Sequence, residues 1–297
     1  SSHPALRPVS LFSGPEGLAF AFFHQGVPMM NLIDPTLTSP AVTLPMTGAE
    51  YLESLRNGRE VWLDGEKVNE TDSFAAFSDI SLPRVTRLTP SEPAVGVMIV
   101  CSGASEKQLT DMLNTLDKYG VKGTFYVTGD FVRRNPERIQ RIIDAGHELG
   151  SHGNNLINMT EVSYARVQEN IRELNDLCEE TFGVRPRLFC AHLGATNSIV
   201  TAIARAEGVE DCLFAIDACD WSDAYKDKVY QMVYRVTSDR VTSGCVVQFH
   251  INGYHTAEVL DKALDNWINV KGLRPVTVGE LMQLSGRDFP PLPDYGD

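Results

Sequence analysis

Two hydrophobic rhythms alternate along the chain from Val95 onward. Runs of mostly apolar residues recur at 95–100, 123–127, 188–191, 213–217 and 245–250, the mark of strands covered on both faces. A shorter stretch at 148–151 and the pair Val276-Thr277 fit the same class. Between these runs the apolar positions fall three and four apart. Leu109, Met112, Leu113 and Leu116 form such a stripe over 105–119. A helix over 136–145 opens on Pro136, whose fixed φ suits a first turn. Ser163 caps a long helix through Thr181, Gly183 stops it, and a last helix follows over 278–284. Strands alternating with helices predict a parallel α/β architecture. About seven such units predict a (β/α) barrel, with functional side chains at the C-terminal strand ends.

The pattern before residue 93 is different. Apolar stretches at 18–23 and 27–33 flank Gln25-Gly26 and read as short strands. Thr47 caps a helix over 48–55, with Glu50 at the capping-box position. Val61-Trp62-Leu63, Asp64-Gly65 and Glu66-Lys67-Val68 make a hairpin signal. Thr89-Pro90-Ser91-Glu92-Pro93 reads as a linker. The expected organisation is a small β-rich accessory domain at 1–92, a barrel domain at 93–285 and a tail at 286–297. The tail's Pro290-Pro291-Leu292-Pro293 is expected to be extended. Residues 47–68 also resemble the N-terminal segment of the 4-hydroxyphenylacetate 3-monooxygenase family. The flavin-binding body of that family is absent, so the match reads as coincidence or reuse of a structural piece.

Composition narrows the class. Apolar residues make up 43% and charged residues 22%, a globular balance. A formal charge of −13 argues against a nucleic-acid partner, since phosphate binding needs a basic surface. No apolar run reaches the roughly 20 residues of a membrane span. The chain opens at Ser1 rather than methionine, which reads as a trimmed N-terminus, so a missing signal peptide says nothing of the compartment. The six cysteines show no CxxC spacing and are expected to be buried free thiols.

Four segments then carry a family resemblance. They are Gly120-Val121-Lys122-Gly123-Thr124-Phe125-Tyr126-Val127; Asn135-Pro136-Glu137 with Ala145-Gly146-His147-Glu148-Leu149-Gly150-Ser151-His152; Asp217-Ala218-Cys219-Asp220-Trp221; and His250-Ile251-Asn252-Gly253. In order and spacing they resemble the NodB-homology polysaccharide deacetylases, carbohydrate esterase family four, over residues 95–284. The resemblance implies a NodB-type (β/α) barrel of about seven parallel strands. It also implies a divalent metal, zinc above all, and action on N-acetylated amino-sugar polymers. His152 stands at a metal-ligand position, Asp220 with Trp221 at an orienting position and His250 at the general acid. Four positions depart from the family. Cys101 replaces the general base, Ser102 and Leu156 replace two metal ligands, and Cys190 replaces the arginine that orients the base.

Hydrolysis by the family's route needs a Lewis acid and a base beside the attacking water. A catalytic metal wants three protein ligands, and His152 is the one left. The expectation is therefore a degenerate deacetylase, its metal lost, that binds a peptidoglycan- or chitin-like glycan. Catalytic residues His250 and Asp220 are vestigial, and Trp221, His152, His192 and Tyr254 contact the sugar. Two alternatives stay open. One is a working amide hydrolase, using a rebuilt site of Cys101, His152, Cys190 and His192, or no metal at all with His250 and Asp220. The other is an interaction module whose unknown protein partner binds 1–92. The family implies an extracellular or cell-surface location.

Overall fold

The structure is a computed structural model, and it describes residues 87–293 together with the backbone of 61–63 and 66–68. The described residues all belong to one unit, Thr47–Asp297, and residues 1–46 lie outside them. The strands expected at 18–23 and 27–33 and the helix at 48–55 also lie outside them. The expected hairpin is present: β1 (Val61–Leu63) pairs antiparallel with β2 (Glu66–Val68) across Asp64-Gly65.

The eight remaining strands form one parallel sheet. They are β3 (Ala94–Cys101), β4 (Thr124–Val127), β5 (Glu148–Ser151), β6 (Leu188–Phe189), β7 (Glu210–Asp211), β8 (Ile216–Asp217), β9 (Val246–His250) and β10 (Arg274–Val276). The order is β7-β6-β5-β4-β3-β9-β8, with β10 also paired to β3. β3 is the axis. β9 covers one edge from Gly96 to Val100, while β10 and β4 share the other, on Ala94–Gly96 and Met98–Cys101. With helices packed on the sheet, this is the (β/α) barrel of the NodB type, left open between β7 and β8.

Helices α1 (Glu106–Lys118), α2 (Gly129–Arg134), α3 (Pro136–Asp144), α4 (Tyr164–Phe182), α5 (Ser198–Ala206), α6 (Val229–Thr237), α7 (Thr256–Asp265) and α8 (Val278–Leu284) connect the strands. Their ends follow the sequence signals. Ser105 and Gln108 make a capping box on α1, and Gly183, at φ 68°, closes α4. Strand alternation sorts the core. Val95, Val97, Ile99 and Cys101 pack under the helices, whereas Ala94 and Met98 face the barrel interior with Tyr126, Cys190 and Cys212.

Two expected strands are shorter than the sequence indicated. The run at 188–191 stops at Phe189, because the chain turns into a 3-10 segment at His192–Gly194. The run at 213–217 is strand only at Ile216–Asp217. β7 was not expected, because two buried acids do not read as a strand. Arg205 and Arg287 pair with Glu210, and Thr196 and Thr201 donate to Asp211, which lets both carboxylates be buried. The tail at 287–293 has no helix or strand, as expected, but it is tied down. Arg187 donates to the Pro290 carbonyl and lies 5.2 Å over the Phe289 ring.

At the N-terminal end of the strands, buried Thr124 and half-buried Glu148 cap α8. Val278 N donates to Thr124 Oγ1 at 2.8 Å, and Gly279 N to Glu148 Oε2 at 3.0 Å. Thr124 Oγ1 in turn donates to Glu148 at 2.5 Å. Burial pushes the Glu148 carboxyl up, against these hydrogen bonds.

Candidate functional site

The chemistry-bearing residues gather at the C-terminal ends of the strands, where a parallel barrel presents its loops. β9 ends on His250 and β8 on Asp217, and parallel neighbours must deliver both loops to the same end. Asp220 is fully buried between them. Its Oδ2 accepts from His250 N at 2.9 Å and from the Thr256 hydroxyl at 2.8 Å. Its Oδ1 lies 3.0 Å from His250 Nδ1. A carboxylate only accepts, so His250 carries its proton on Nδ1 and keeps Nε2 for the mouth. Gly253 makes this packing possible: a Cβ there would meet the Asp220 carboxyl carbon at 2.9 Å. Tyr254 N donates to Asp220 O at 2.7 Å and ties the two loops together.

Two exposed rings stand on this frame. Trp221 is 57% exposed, and its Nε1 donates to Asp217 Oδ2 at 2.9 Å. Its ring centroid lies 6.3 Å from that of His250. Tyr254 is 38% exposed, and its hydroxyl donates to Asp223 at 2.6 Å. That hydrogen bond pushes the Tyr254 phenol up. Asp217 Oδ1 accepts from Cys219 N at 2.7 Å.

The other half of the mouth comes from the β5 and β6 loops. His152 follows β5, is 5% exposed, and has its Nδ1 2.7 Å from Cys190 O. A carbonyl only accepts, so Nδ1 donates and Nε2 holds the lone pair, the tautomer a metal ligand needs. Burial pulls the His152 pKa down to about 4, against the pull of that hydrogen bond. His192 stands edge-on to it, with ring centroids 5.8 Å apart. Burial also lowers the His192 pKa. Leu156 is 48% exposed and Leu193 77%.

These residues do not fit the family's metal. Leu156 has no lone pair, Ser102 offers a neutral hydroxyl, and of the three family ligand positions His152 is the one that keeps an imidazole. The rebuilt Cys/His site fails as well. Among the described residues, the one group of three ligand atoms within 4.8 Å of one another is Asp217, Asp220 and His250. In that group His250 Nδ1 carries the proton it gives Asp220, and Asp220 is fully buried among its donors, so neither is open to an ion. Cys101, which the rebuilt site would need at the mouth, does not reach it. It is fully buried in the helix-side core, because strand alternation turns it away from the face that carries Val100 beside His250. Burial pushes the Cys101 and Cys190 thiols up, so neither is a thiolate.

Asp217, Thr256 and Asp223 were not singled out from the sequence. Asp217 stood inside a motif that carried the resemblance, but which donors its side chain meets depends on loop geometry. Leu193, Cys219 and His255 have φ of 59°, 61° and 55°, and all three lie in mouth loops. They are the non-glycine residues in the left-handed region among those described, and such strain concentrates at binding sites.

A model of the polysaccharide deacetylase family matches residues 102–211. The chain is 32% identical over 193 residues to YlxY, an uncharacterised protein of Bacillus subtilis; the match covers 65% of this chain and 58% of YlxY. It is 24% identical over 205 residues to the B. subtilis peptidoglycan-N-acetylmuramic acid deacetylase PdaC, covering 69% of this chain and 42% of PdaC. The chain thus spans roughly half the length of these curated relatives. Among solved structures, BA3943 of Bacillus anthracis, described as a CE4 family pseudoenzyme, matches with a TM-score of 0.63 at 23% identity. That match covers 74% of this chain and 75% of BA3943, and at this identity it speaks for the fold. A BA3943 mutant described as having restored enzymatic activity matches with a TM-score of 0.61 at 20% identity, over 73% of this chain and 85% of that one. Sequence relatives, fold and the strand-end position of the motifs agree with a polysaccharide deacetylase domain over residues 102–211.

Proposed function

We propose that this protein binds an N-acetylated amino-sugar polymer of the cell wall and does not hydrolyse it. The observation that carries the reading is the split state of the mouth. The β8–β9 half keeps His250, Asp220 and an exposed tryptophan wall. On the other half, Ser102 and Leu156 stand at two ligand positions, and Cys101, at the base position, faces the core. Aromatic rings beside polar groups suit the alternating apolar and hydroxyl faces of a sugar. Peptidoglycan as the target is supported by the name of PdaC, and it implies work on the outer side of the cell.

The test combines metal analysis, acetate release and ligand titration. Less than stoichiometric zinc, cobalt or nickel, no acetate release from chitooligosaccharides or peptidoglycan, and weak glycan binding are expected. Millimolar affinity corresponds to about −4 kcal/mol, and Trp221→Ala should weaken it. A stoichiometric metal held through His152, or acetate release abolished by His250→Ala, would overturn the reading. One observation favours a second reading, a metal-free amide hydrolase: His250 is held by Asp220 in the tautomer that frees Nε2. The acetate assay decides between the two. A structural role centred on residues 1–92 is favoured if no glycan perturbs the mouth.

A further inference from the structure

The charge of the glycan can be read from the donors and acceptors left free on the β8–β9 rim. The rim has two aromatic side chains with polar tips, Trp221 and Tyr254, and both tips are committed. Trp221 Nε1 donates to Asp217 at 2.9 Å, and the Tyr254 hydroxyl donates to Asp223 at 2.6 Å. Arg235 is turned inward: its Nε donates to Asp217 O at 2.8 Å, and its guanidinium lies 5.8 Å from the Tyr225 ring. What these groups leave for a ligand is the rest of their carboxylate lone pairs and the faces of two half-exposed rings. An acetamide carbonyl needs a donor, and the single hydrogens on the Trp221 and Tyr254 tips are already spent. An ammonium brings three donors and a positive charge, which suits both carboxylate oxygen and an aromatic face. Asp217 also lies beside Asp220 and His250, their ligand atoms within 4.8 Å, so the acceptor surface reaches the centre of the mouth.

We propose that the rim of Trp221, Tyr254, Asp217 and Asp223 takes a free-amine sugar unit, so that the protein prefers partly de-N-acetylated stretches of its polymer. This inference rests on the glycan-binding reading above and adds the chemical class of one unit. It makes the protein a reader of glycan on which a deacetylase has already acted.

Calorimetric titration of the whole chain with two chitotetraoses, one fully N-acetylated and one partly de-N-acetylated, tests it. The partly de-N-acetylated form should bind about tenfold tighter, as one charge-assisted contact predicts. Asp223→Asn and Tyr254→Leu, both at exposed positions, should each reduce that advantage, and high salt should narrow it. Tetralysine, which carries positive charge without a sugar ring, should bind more weakly than the partly de-N-acetylated tetramer. Equal or tighter binding of the fully acetylated tetramer overturns this inference and leaves the glycan-binding reading standing. Tetralysine binding as tightly as the sugar overturns it too, since the net charge of −13 would then suffice. No binding of either tetramer overturns both readings.

Discussion

Asp220 is fully buried and accepts from His250 N, His250 Nδ1 and the Thr256 hydroxyl. A charge in that position is tolerated only while its donors stay in place. Gly253 packs against the same carboxyl, so the β8 and β9 loops share one hydrogen-bonded hub. Asp220 therefore has a structural reason to persist even where the chemistry is lost. His250 does not have it to the same degree, because its Nε2 faces the mouth. Asp220→Ala should cost about 3–5 kcal/mol, because His250 N and Nδ1 both lose their buried acceptor, while the Thr256 hydroxyl can turn to His250 O, also 2.8 Å away. His250→Ala should cost only about 1–2 kcal/mol, since the residue-250 backbone N–H keeps its carboxylate. Urea unfolding of the two variants measures the difference, and equal costs would refute this division of roles. Asp220 and His250 were legible in the sequence through their motif neighbours. Asp217 as the anchor of Trp221 was not, since that contact is set by a loop with Cys219 at φ 61°.

Among elements, the long periodic ones were readable and the short polar ones were not. The helix capped by Ser163 and stopped by Gly183 stands within a residue of its expected end, because cap and stop are local signals. β7 escaped because the partners that let its acids be buried, Arg205 and Arg287 on Glu210 and Thr196 and Thr201 on Asp211, are set by tertiary contacts. α2 escaped because six residues, Gly129–Arg134, are too few to show a period. Cys101 lay one residue past the expected strand of 95–100, and β3 extends to include it. Which face is the inner one follows from the partners of Ile99 and Val100, namely Phe249 and His250. The cap on α8 shows how elements far apart in sequence depend on one residue. Glu148 holds Gly279 N and Thr124 Oγ1 in a half-buried site, so Glu148→Ala leaves both donors without that acceptor. A loss of about 2–3 kcal/mol is expected, with roughly half of it recovered in Glu148→Gln, whose amide oxygen still accepts from Gly279 N. Thermal melts followed by circular dichroism test this order, and a glutamine variant no better than alanine would contradict it.

Across the whole domain, stability and chemistry sit at opposite ends of the strands. The end with the α8 cap is intact, while the departures from the family, Cys101, Ser102, Leu156 and Cys190, are at the mouth end. That separation is what a parallel barrel allows, and it explains how ligands can be lost without losing the fold. It also sets what can be put back. His152 already donates Nδ1 to Cys190 O and keeps Nε2 free, so it remains a ready metal ligand. Ser102→Asp with Leu156→His adds two more at the family's positions. The double variant should take up one zinc, and at about a hundredfold excess over Kd the ion should stabilise it by about 2.7 kcal/mol. Adding Cys101→Asp should fail as a repair. Cys101 faces the helix-side core among apolar neighbours, and an unpaired carboxylate there should cost about 3 kcal/mol or more. The triple variant should therefore melt well below the double one and release no more acetate. Zinc content by mass analysis, melting temperature and acetate release are the three readings. A double variant that takes up no zinc would refute the ready-ligand account of His152. A triple variant as stable as the double, releasing acetate, would show that β3 presents residue 101 to the mouth after all.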